Sequence, residues 1–80
     1  MYIEIITPDK RLYTGEVHRV KLPGTQGYFE ILNNHAPIIS TLEKGQIKVT
    51  DVDNKITLID ITGGLVEAKN NKIVVLAENQ

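Results

Sequence analysis

Apolar and polar residues alternate with a period of two along most of this chain, and turn-forming residues interrupt the alternation every few positions. Such alternation predicts half-buried β-strands, because successive side chains of a strand point to opposite faces of a sheet. No segment repeats its apolar residues at helical spacing over the length of an ordinary helix. We count about eight to ten short strands, mostly antiparallel, and predict an all-β fold in which residues 1–80 form a single two-sheet β-sandwich.

Two hairpins are predicted from their turn residues. Asn70-Asn71 separates two apolar segments, and asparagine tolerates a positive φ well enough to form a tight type I′ turn. Asp53-Asn54 separates residues 46–50 from residues 55–62 in the same way.

Glycine-containing segments are expected to end or bend other strands. Thr14-Gly15 is expected to turn the chain, and residues 43–45 are expected to end a strand. Gly63-Gly64 predicts a bend or a close approach of two backbone segments.

Residues 17–22 and 56–61 have the strongest apolar pattern and are predicted to line the core. In the first segment, alternation places His18 and Val20 on one face and Val17 on the other. His18 is therefore predicted to be a half-buried strand residue.

Composition narrows the possible functions. The chain has no cysteine, which excludes disulfides and thiolate metal sites, and its 41% hydrophobic content argues against disorder. Nine basic and ten acidic residues are scattered and give a net charge of −1, so we expect no nucleic-acid partner. No apolar stretch approaches bilayer-spanning length, and no basic region followed by an apolar run marks a signal peptide, so we expect a cytoplasmic protein.

A catalytic, metal or cofactor site is not predicted. The two histidines, His18 and His35, have no ligand spacing between them, and His35 lies in a loop between two predicted strands. A small hydrolase or isomerase remains an alternative that would require an acid–base pair in a concave pocket.

Three further classes fit the residues poorly. The segment Gly24-Thr25-Gln26-Gly27 has the spacing of a KH-domain clamp, but here it joins strands. A biotinyl or lipoyl carrier would present lysine beside methionine at a hairpin tip, whereas the one methionine is Met1. An oligonucleotide-binding barrel would need more aromatic residues and a basic groove. The residues alone predict a soluble β-sandwich that acts as an interaction module.

Several segments, read in order, resemble one family. Residues 27–37, Gly-Tyr-Phe-Glu-Ile-Leu-Asn-Asn-His-Ala-Pro, resemble the signature of ATP synthase epsilon subunits. Leu42-Glu43-Lys44-Gly45 is similar to the following Leu-x-Pro-Gly turn of that family, with Lys44 where proline is common. Residues 61–68 resemble its Gly-Gly-x-x-Glu segment, and residues 70–78 resemble its closing hairpin, which ends in Leu-Ala-Glu.

The resemblance implies a non-catalytic, cofactor-free subunit of the central stalk of a rotary F-type ATP synthase. Such a subunit couples the gamma subunit to the polar loops of the c-ring during ion-driven rotation, at the cytoplasmic face of the bacterial inner membrane. The residues that match gamma-facing positions are Thr7, His35, Ser40, Thr62 and Glu67. The residues that match c-ring-facing positions are Tyr28, Phe29, Glu30, Asn33 and Asn34.

Two expectations qualify this interpretation. Most family members continue into two C-terminal helices that inhibit ATP hydrolysis, whereas this sequence ends at Gln80, so the resemblance implies coupling without that inhibition. Family members often have an acidic residue at the position of Tyr28, and Glu30 supplies the acidic group here if the strand is regular. The alternative function is an unrelated β-sandwich adaptor that binds another protein.

Overall fold

The computed structural model describes residues 1–79, which form six β-strands. The strands are β1 (Tyr2–Ile6), β2 (Arg11–Gly24), β3 (Gly27–Leu32), β4 (Ile38–Asp51), β5 (Ile56–Lys69) and β6 (Lys72–Glu78). They are ordered β1-β6-β5-β4-β2-β3, and β2 also pairs with β1, so the ladder of hydrogen bonds closes on itself. Every pairing is antiparallel except that of β1 with β6. The predicted all-β sandwich is confirmed.

The closed ladder folds into two layers that share three strands. The first layer contains β1, β6 and one part each of the long strands, namely residues 11–16, 38–43 and 63–69. The second layer contains β3 and the other parts of the long strands, residues 19–24, 45–50 and 56–61.

The predicted number of strands is wrong, because three of the six strands are 14 residues long and pass through both layers. The predicted turn at Thr14-Gly15, the predicted strand end at residues 43–45 and the predicted bend at Gly63-Gly64 all lie inside these strands. Gly15 and Gly64 have φ values of 155° and 154°, which side-chain-bearing residues rarely adopt, so the chain bends there without leaving the ladder.

Gly64 also lies unusually close to the neighbouring strand. A Cβ atom on Gly64 would lie 2.5 Å from the carbonyl oxygen of Leu76 and 3.2 Å from the Cα of Ala77. The predicted close backbone approach at Gly63-Gly64 is therefore confirmed.

The core between the layers consists almost entirely of aliphatic side chains. The largest fully buried ones are Ile3, Ile5, Val17, Val20, Leu22, Ile31, Ile47, Val49, Val66, Ile73 and Val75. Burying one such side chain stabilises the fold by about 1.5–3 kcal/mol. This core holds the outer faces of both layers in fixed positions.

The predicted alternation in residues 17–22 is wrong at its start. Val17 pairs with Asp51 and Arg19 pairs with Thr50, so His18 is an extra residue in β2, as in a β-bulge. The bulge places Val17 and Val20 together in the core and leaves both His18 and Arg19 exposed. His18 is thus an exposed residue and not the half-buried one that was predicted.

The core prediction for residues 56–61 holds for only one face of the segment. Ile61 is buried and Ile59 is half-buried, but Ile56 and Leu58 remain 52% and 55% exposed. Both faces of this segment carry apolar residues, and only the face toward the other layer is covered.

Both predicted hairpin turns are confirmed. Asn70 and Asn71 have φ values of 54° and 61°, and positive φ at both central residues characterises a type I′ turn. In the β4–β5 hairpin Asn54 has a φ of 65°. There Asp51 Oδ1 accepts hydrogen bonds from the backbone N–H groups of Asp53 at 2.8 Å and Lys55 at 3.0 Å.

Candidate protein-docking surfaces

The β3–β4 turn, which contains two predicted c-ring contacts, is held by contacts distant in sequence. The backbone N–H of His35 donates to the carbonyl oxygen of Leu32 at 3.1 Å, and Asn34, the third residue of this turn, has a φ of 62°. A positive φ at that position alone is the pattern of a type II turn. The N–H of Asn34 donates to Oδ1 of Asn71 in the β5–β6 turn at 2.8 Å.

The N-terminal residues connect the same two turns. The amino group of Met1 donates to Oδ1 of Asn33 at 3.0 Å, and Glu16 Oε2 lies 3.6 Å from it. The N–H of Tyr2 donates to the carbonyl oxygen of Asn71 at 3.1 Å. We call the exposed residues Asn33, Asn34, Asn70 and Asn71 the asparagine edge.

Tyr28 and Glu30 share the exposed outer face of β3, as a regular strand requires. The hydroxyl of Tyr28 accepts a hydrogen bond from the N–H of Gln46 at 3.0 Å. Lys21 Nζ lies 5.5 Å from the centre of the Tyr28 ring, within the range of a cation–π interaction. Lys21 is also the cross-strand partner of Glu30, so the outer face of β3 is both aromatic and charged.

Phe29 differs from the other predicted c-ring contacts because it points inward. It is half-buried, packs against the core, and lies so close to Gly24 that a Cβ there would be 2.8 Å from its ring. Phe29 therefore packs β3 against the core, whereas Tyr28 and Glu30 are exposed and available to a partner.

The predicted gamma-facing residues do not all lie on one face. Glu67 is exposed and pairs with Ile39, on the outer face of the first layer. Ser40 is half-buried and pairs with the fully buried Val66, which places it on the inner face. Its hydroxyl donates to the carbonyl oxygen of Thr41 at 3.3 Å.

The other three predicted gamma-facing residues lie in turns or at a layer crossing. Thr7 follows β1, and its Oγ1 accepts hydrogen bonds from the N–H groups of Asp9 at 3.3 Å and Lys10 at 3.1 Å. Thr62 is exposed where β5 passes between layers. His35 is exposed in its loop, and its Nδ1–H donates to the carbonyl oxygen of Ala36 at 2.6 Å.

An apolar surface on the first layer was missed by the sequence analysis. Ile39, Leu65 and Leu76 are 68%, 38% and 50% exposed on its outer face, and we call them the apolar strip. Leu65 pairs with both Thr41 and Leu76, and Leu76 pairs with Ile6, which forms one row across four strands. An open groove of about 600 Å³ runs along this row and includes Thr7 at one end.

A sequence signal for the apolar strip did exist. Ile38-Ile39, Leu65-Val66 and Val75-Leu76 are adjacent apolar pairs within strands. Because successive strand residues face opposite sides, one member of each pair must face outward. The sequence analysis instead emphasised the hydroxyl residues of these strands.

Chemical features are sparse on these surfaces. Burial and, to a smaller extent, the negative charge of Asp51 raise the pKa of Tyr13 above its ordinary value. Within residues 1–79, no three histidine or acidic side chains are grouped so that they could hold a metal ion. The same part of the chain contains no helix that is long and apolar enough to span a membrane.

Comparison with known proteins identifies the family. The model for the β-sandwich domain of the ATP synthase delta/epsilon chain matches residues 1–80. The chain belongs to this family. This confirms the resemblance found in residues 27–37 and the segments that follow.

The curated relatives carry the name ATP synthase epsilon chain. That of Leptospira interrogans is 39% identical over 77 residues, which are 96% of this chain and 60% of the relative. That of Chlorobium limicola is 35% identical over 77 residues, which are 96% of this chain and 88% of the relative. The chain thus spans about three fifths of the Leptospira relative and most of the Chlorobium one.

Two solved structures share the fold. A chain of the Euglena gracilis mitochondrial ATP synthase, in an assembly of OSCP, F1 and c-ring, superposes with a TM-score of 0.87 at 17% identity and covers 94% of this chain and 48% of that one. A chain from the central stalk and c-ring of the Tetrahymena thermophila mitochondrial ATP synthase gives a TM-score of 0.81 at 19% identity, covering 98% and 63%. At these identities the likeness concerns the fold alone.

Proposed function

We propose that this chain is a non-catalytic part of the central stalk of an F-type ATP synthase, which joins the gamma subunit to the c-ring. The observation that supports this proposal most is the apolar strip on the outer face of the first layer. The chain also belongs to the family of the β-sandwich domain of the ATP synthase delta/epsilon chain. The proposal includes no cofactor. It places the chain at the cytoplasmic face of a bacterial inner membrane, bound through its partners.

The apolar strip is the proposed gamma-binding surface. Ile39, Leu65 and Leu76 expose apolar area that water solvates poorly, and covering such area contributes about 25 cal/mol per Å². Glu67, directly opposite Ile39, supplies a charged group at the margin of the strip. An apolar centre with a polar rim is the usual composition of a protein–protein interface.

Asn33 and Asn34 of the asparagine edge, together with Tyr28 and Glu30, form the proposed c-ring-binding surface. Its groups are amides, a phenol and a carboxylate, which suit hydrogen bonding to polar loops. The β3–β4 turn meets the β5–β6 turn at this edge, where the N–H of Asn34 donates to Oδ1 of Asn71. The two proposed surfaces therefore differ in chemistry, which suits contacts with two different partners.

The gamma surface is tested by size-exclusion chromatography and titration with the gamma subunit of the same ATP synthase. Replacing Leu76 by serine should weaken gamma binding by roughly ten- to a hundredfold, the effect of losing a central interface side chain. The matched control is Leu58→Ser, because Leu58 is 55% and Leu76 50% exposed, and Leu58 lies on the outer face of the second layer.

A second pair of variants separates the strip from the residues suggested by the family resemblance. His35→Ala and Glu67→Ala should weaken gamma binding less than Leu76→Ser, because both are exposed polar residues whose partner contacts compete with water. Equal effects of Leu76→Ser and Leu58→Ser would contradict the assignment of the strip. If the folded wild-type chain does not bind gamma at all, the adaptor function becomes the better explanation.

A further inference from the structure

The β5–β6 turn contacts the proposed c-ring surface through one side chain that the family resemblance did not single out. Asn71 is 37 residues away from Asn34 in sequence, yet its Oδ1 accepts the N–H of Asn34 at 2.8 Å. Its backbone is fixed as well, because its carbonyl oxygen accepts the N–H of Tyr2 at 3.1 Å and its φ is 61°.

The N–H of Asn34, which Asn71 Oδ1 accepts, belongs to the peptide group whose orientation determines the type of the β3–β4 turn. Type I and type II turns differ mainly by a flip of their central peptide, which here joins Asn33 to Asn34. The φ of 62° at Asn34 corresponds to type II, which asparagine accepts less readily than glycine does. In this orientation the central N–H is available to Asn71.

We propose that Asn71 is a positioning residue that selects the type II form of the β3–β4 turn and thereby orients Asn33 and Asn34 toward the c-ring. This inference rests on the proposed function, because that function assigns the turn to the ring. Asn71 acts only through the turn. The flip of one peptide would redirect both a carbonyl and an N–H group on the surface that the ring contacts.

The chain offers a set of closely matched variants at the β5–β6 turn. Asn71→Gly keeps a residue that adopts positive φ readily but removes the acceptor. Asn71→Asp keeps an oxygen that can accept the Asn34 N–H. Asn70→Gly is the control, because Asn70 has a similar φ of 54° in the same turn and Asn71 provides the acceptor.

The first readout is hydrogen exchange at the Asn34 amide, followed by NMR in the purified full subunit. Exchange should rise roughly three- to tenfold in Asn71→Gly, as expected when one hydrogen bond is lost. It should return toward the wild-type rate in Asn71→Asp and stay unchanged in Asn70→Gly. An unchanged rate in Asn71→Gly would overturn the proposal.

The second readout is coupling in the complete ATP synthase reconstituted into vesicles with each variant. ATP-driven ion pumping per ATP hydrolysed should fall in Asn71→Gly and recover in Asn71→Asp, while gamma affinity stays constant in both. Faster exchange at Asn34 with unchanged coupling would refute the assigned role of Asn71 in ring docking. A wild-type subunit that binds neither gamma nor ring would refute the proposed function instead, while the exchange rates would still decide whether Asn71 holds the turn.

Discussion

Replacing Gly64 by alanine should be among the most destabilising small changes in this chain. Two physical costs combine at this position. A φ of 154° lies in a region that side-chain-bearing residues adopt at a cost of about 1–3 kcal/mol. In addition, the new Cβ would lie 2.5 Å from the carbonyl oxygen of Leu76, so the ladder between β5 and β6 would have to move. Overpacking of this kind costs about 1–3 kcal/mol more.

The chain provides two controls that separate these costs. At Gly27 the φ is 119°, but the position that a Cβ would take has no neighbouring atom within 4 Å, so Gly27→Ala introduces strain without a clash. At Gly63 the nearest atom to the new Cβ would be Oε1 at the flexible end of the Glu78 side chain, so Gly63→Ala should be close to neutral. The entropy lost by the unfolded chain when glycine becomes alanine is the same in all three variants and cancels in the comparison.

Urea denaturation followed by circular dichroism measures the free energies of unfolding. We expect Gly64→Ala to lose about 1–5.5 kcal/mol after the unfolded-state gain is subtracted, out of a total of about 4–12 kcal/mol for a chain of this length. The corresponding decrease in Tm should be at least about 4 °C. If Gly64→Ala loses no more free energy than Gly27→Ala does, the steric argument for the β5–β6 ladder is wrong.

Two further predictions concern tyrosines. Tyr28→Phe removes the acceptor of the Gln46 N–H and should lower the free energy of unfolding by about 0.5–1.5 kcal/mol in urea denaturation. Tyr2→Phe is the control, because Tyr2 is a strand tyrosine that is 38% exposed, against 53% for Tyr28. A loss no larger than that of Tyr2→Phe would contradict the importance of this hydrogen bond. Because the pKa of Tyr13 is raised above its ordinary value near 10, the unfolded chain releases this proton first, and stability should fall as the pH rises through 10 toward the folded pKa. Tyr13→Phe should show a shallower fall in unfolding free energy as the pH rises from about 9 to above 10, and parallel curves would count against this prediction.

Local turn chemistry was predictable from the sequence because it depends on adjacent residues. Asn70-Asn71 and Asp53-Asn54 form the expected hairpin turns, since the residues that tolerate positive φ are the ones at the turn. The number of strands was not predictable in the same way. Gly15 and Gly64 carry the same signal whether a strand ends or merely bends, and pairing with neighbouring strands decides between the two.

The sequence alone also did not predict which face of the sheet some side chains occupy, or which residues distant in sequence are in contact. The bulge at His18 is set by how β2 aligns with β4, so alternation within β2 alone could not place Val17 inside. In the candidate surfaces, the family resemblance suggested Asn33 and Asn34 but not Asn71, because a contact across 37 residues leaves no local pattern. Ser40 and Glu67 were grouped by family position, although strand geometry turns them to opposite faces.

The three 14-residue strands also determine how the molecule responds to a sideways force. Each of β2, β4 and β5 runs from one layer into the other, so sliding the layers past each other would stretch covalent backbone at three crossings. Layers joined only by surface loops would resist such shear through side-chain packing alone. A load on the outer face of the first layer is thus carried along continuous chain to the second, and the two layers should resist a torque as one stiff body.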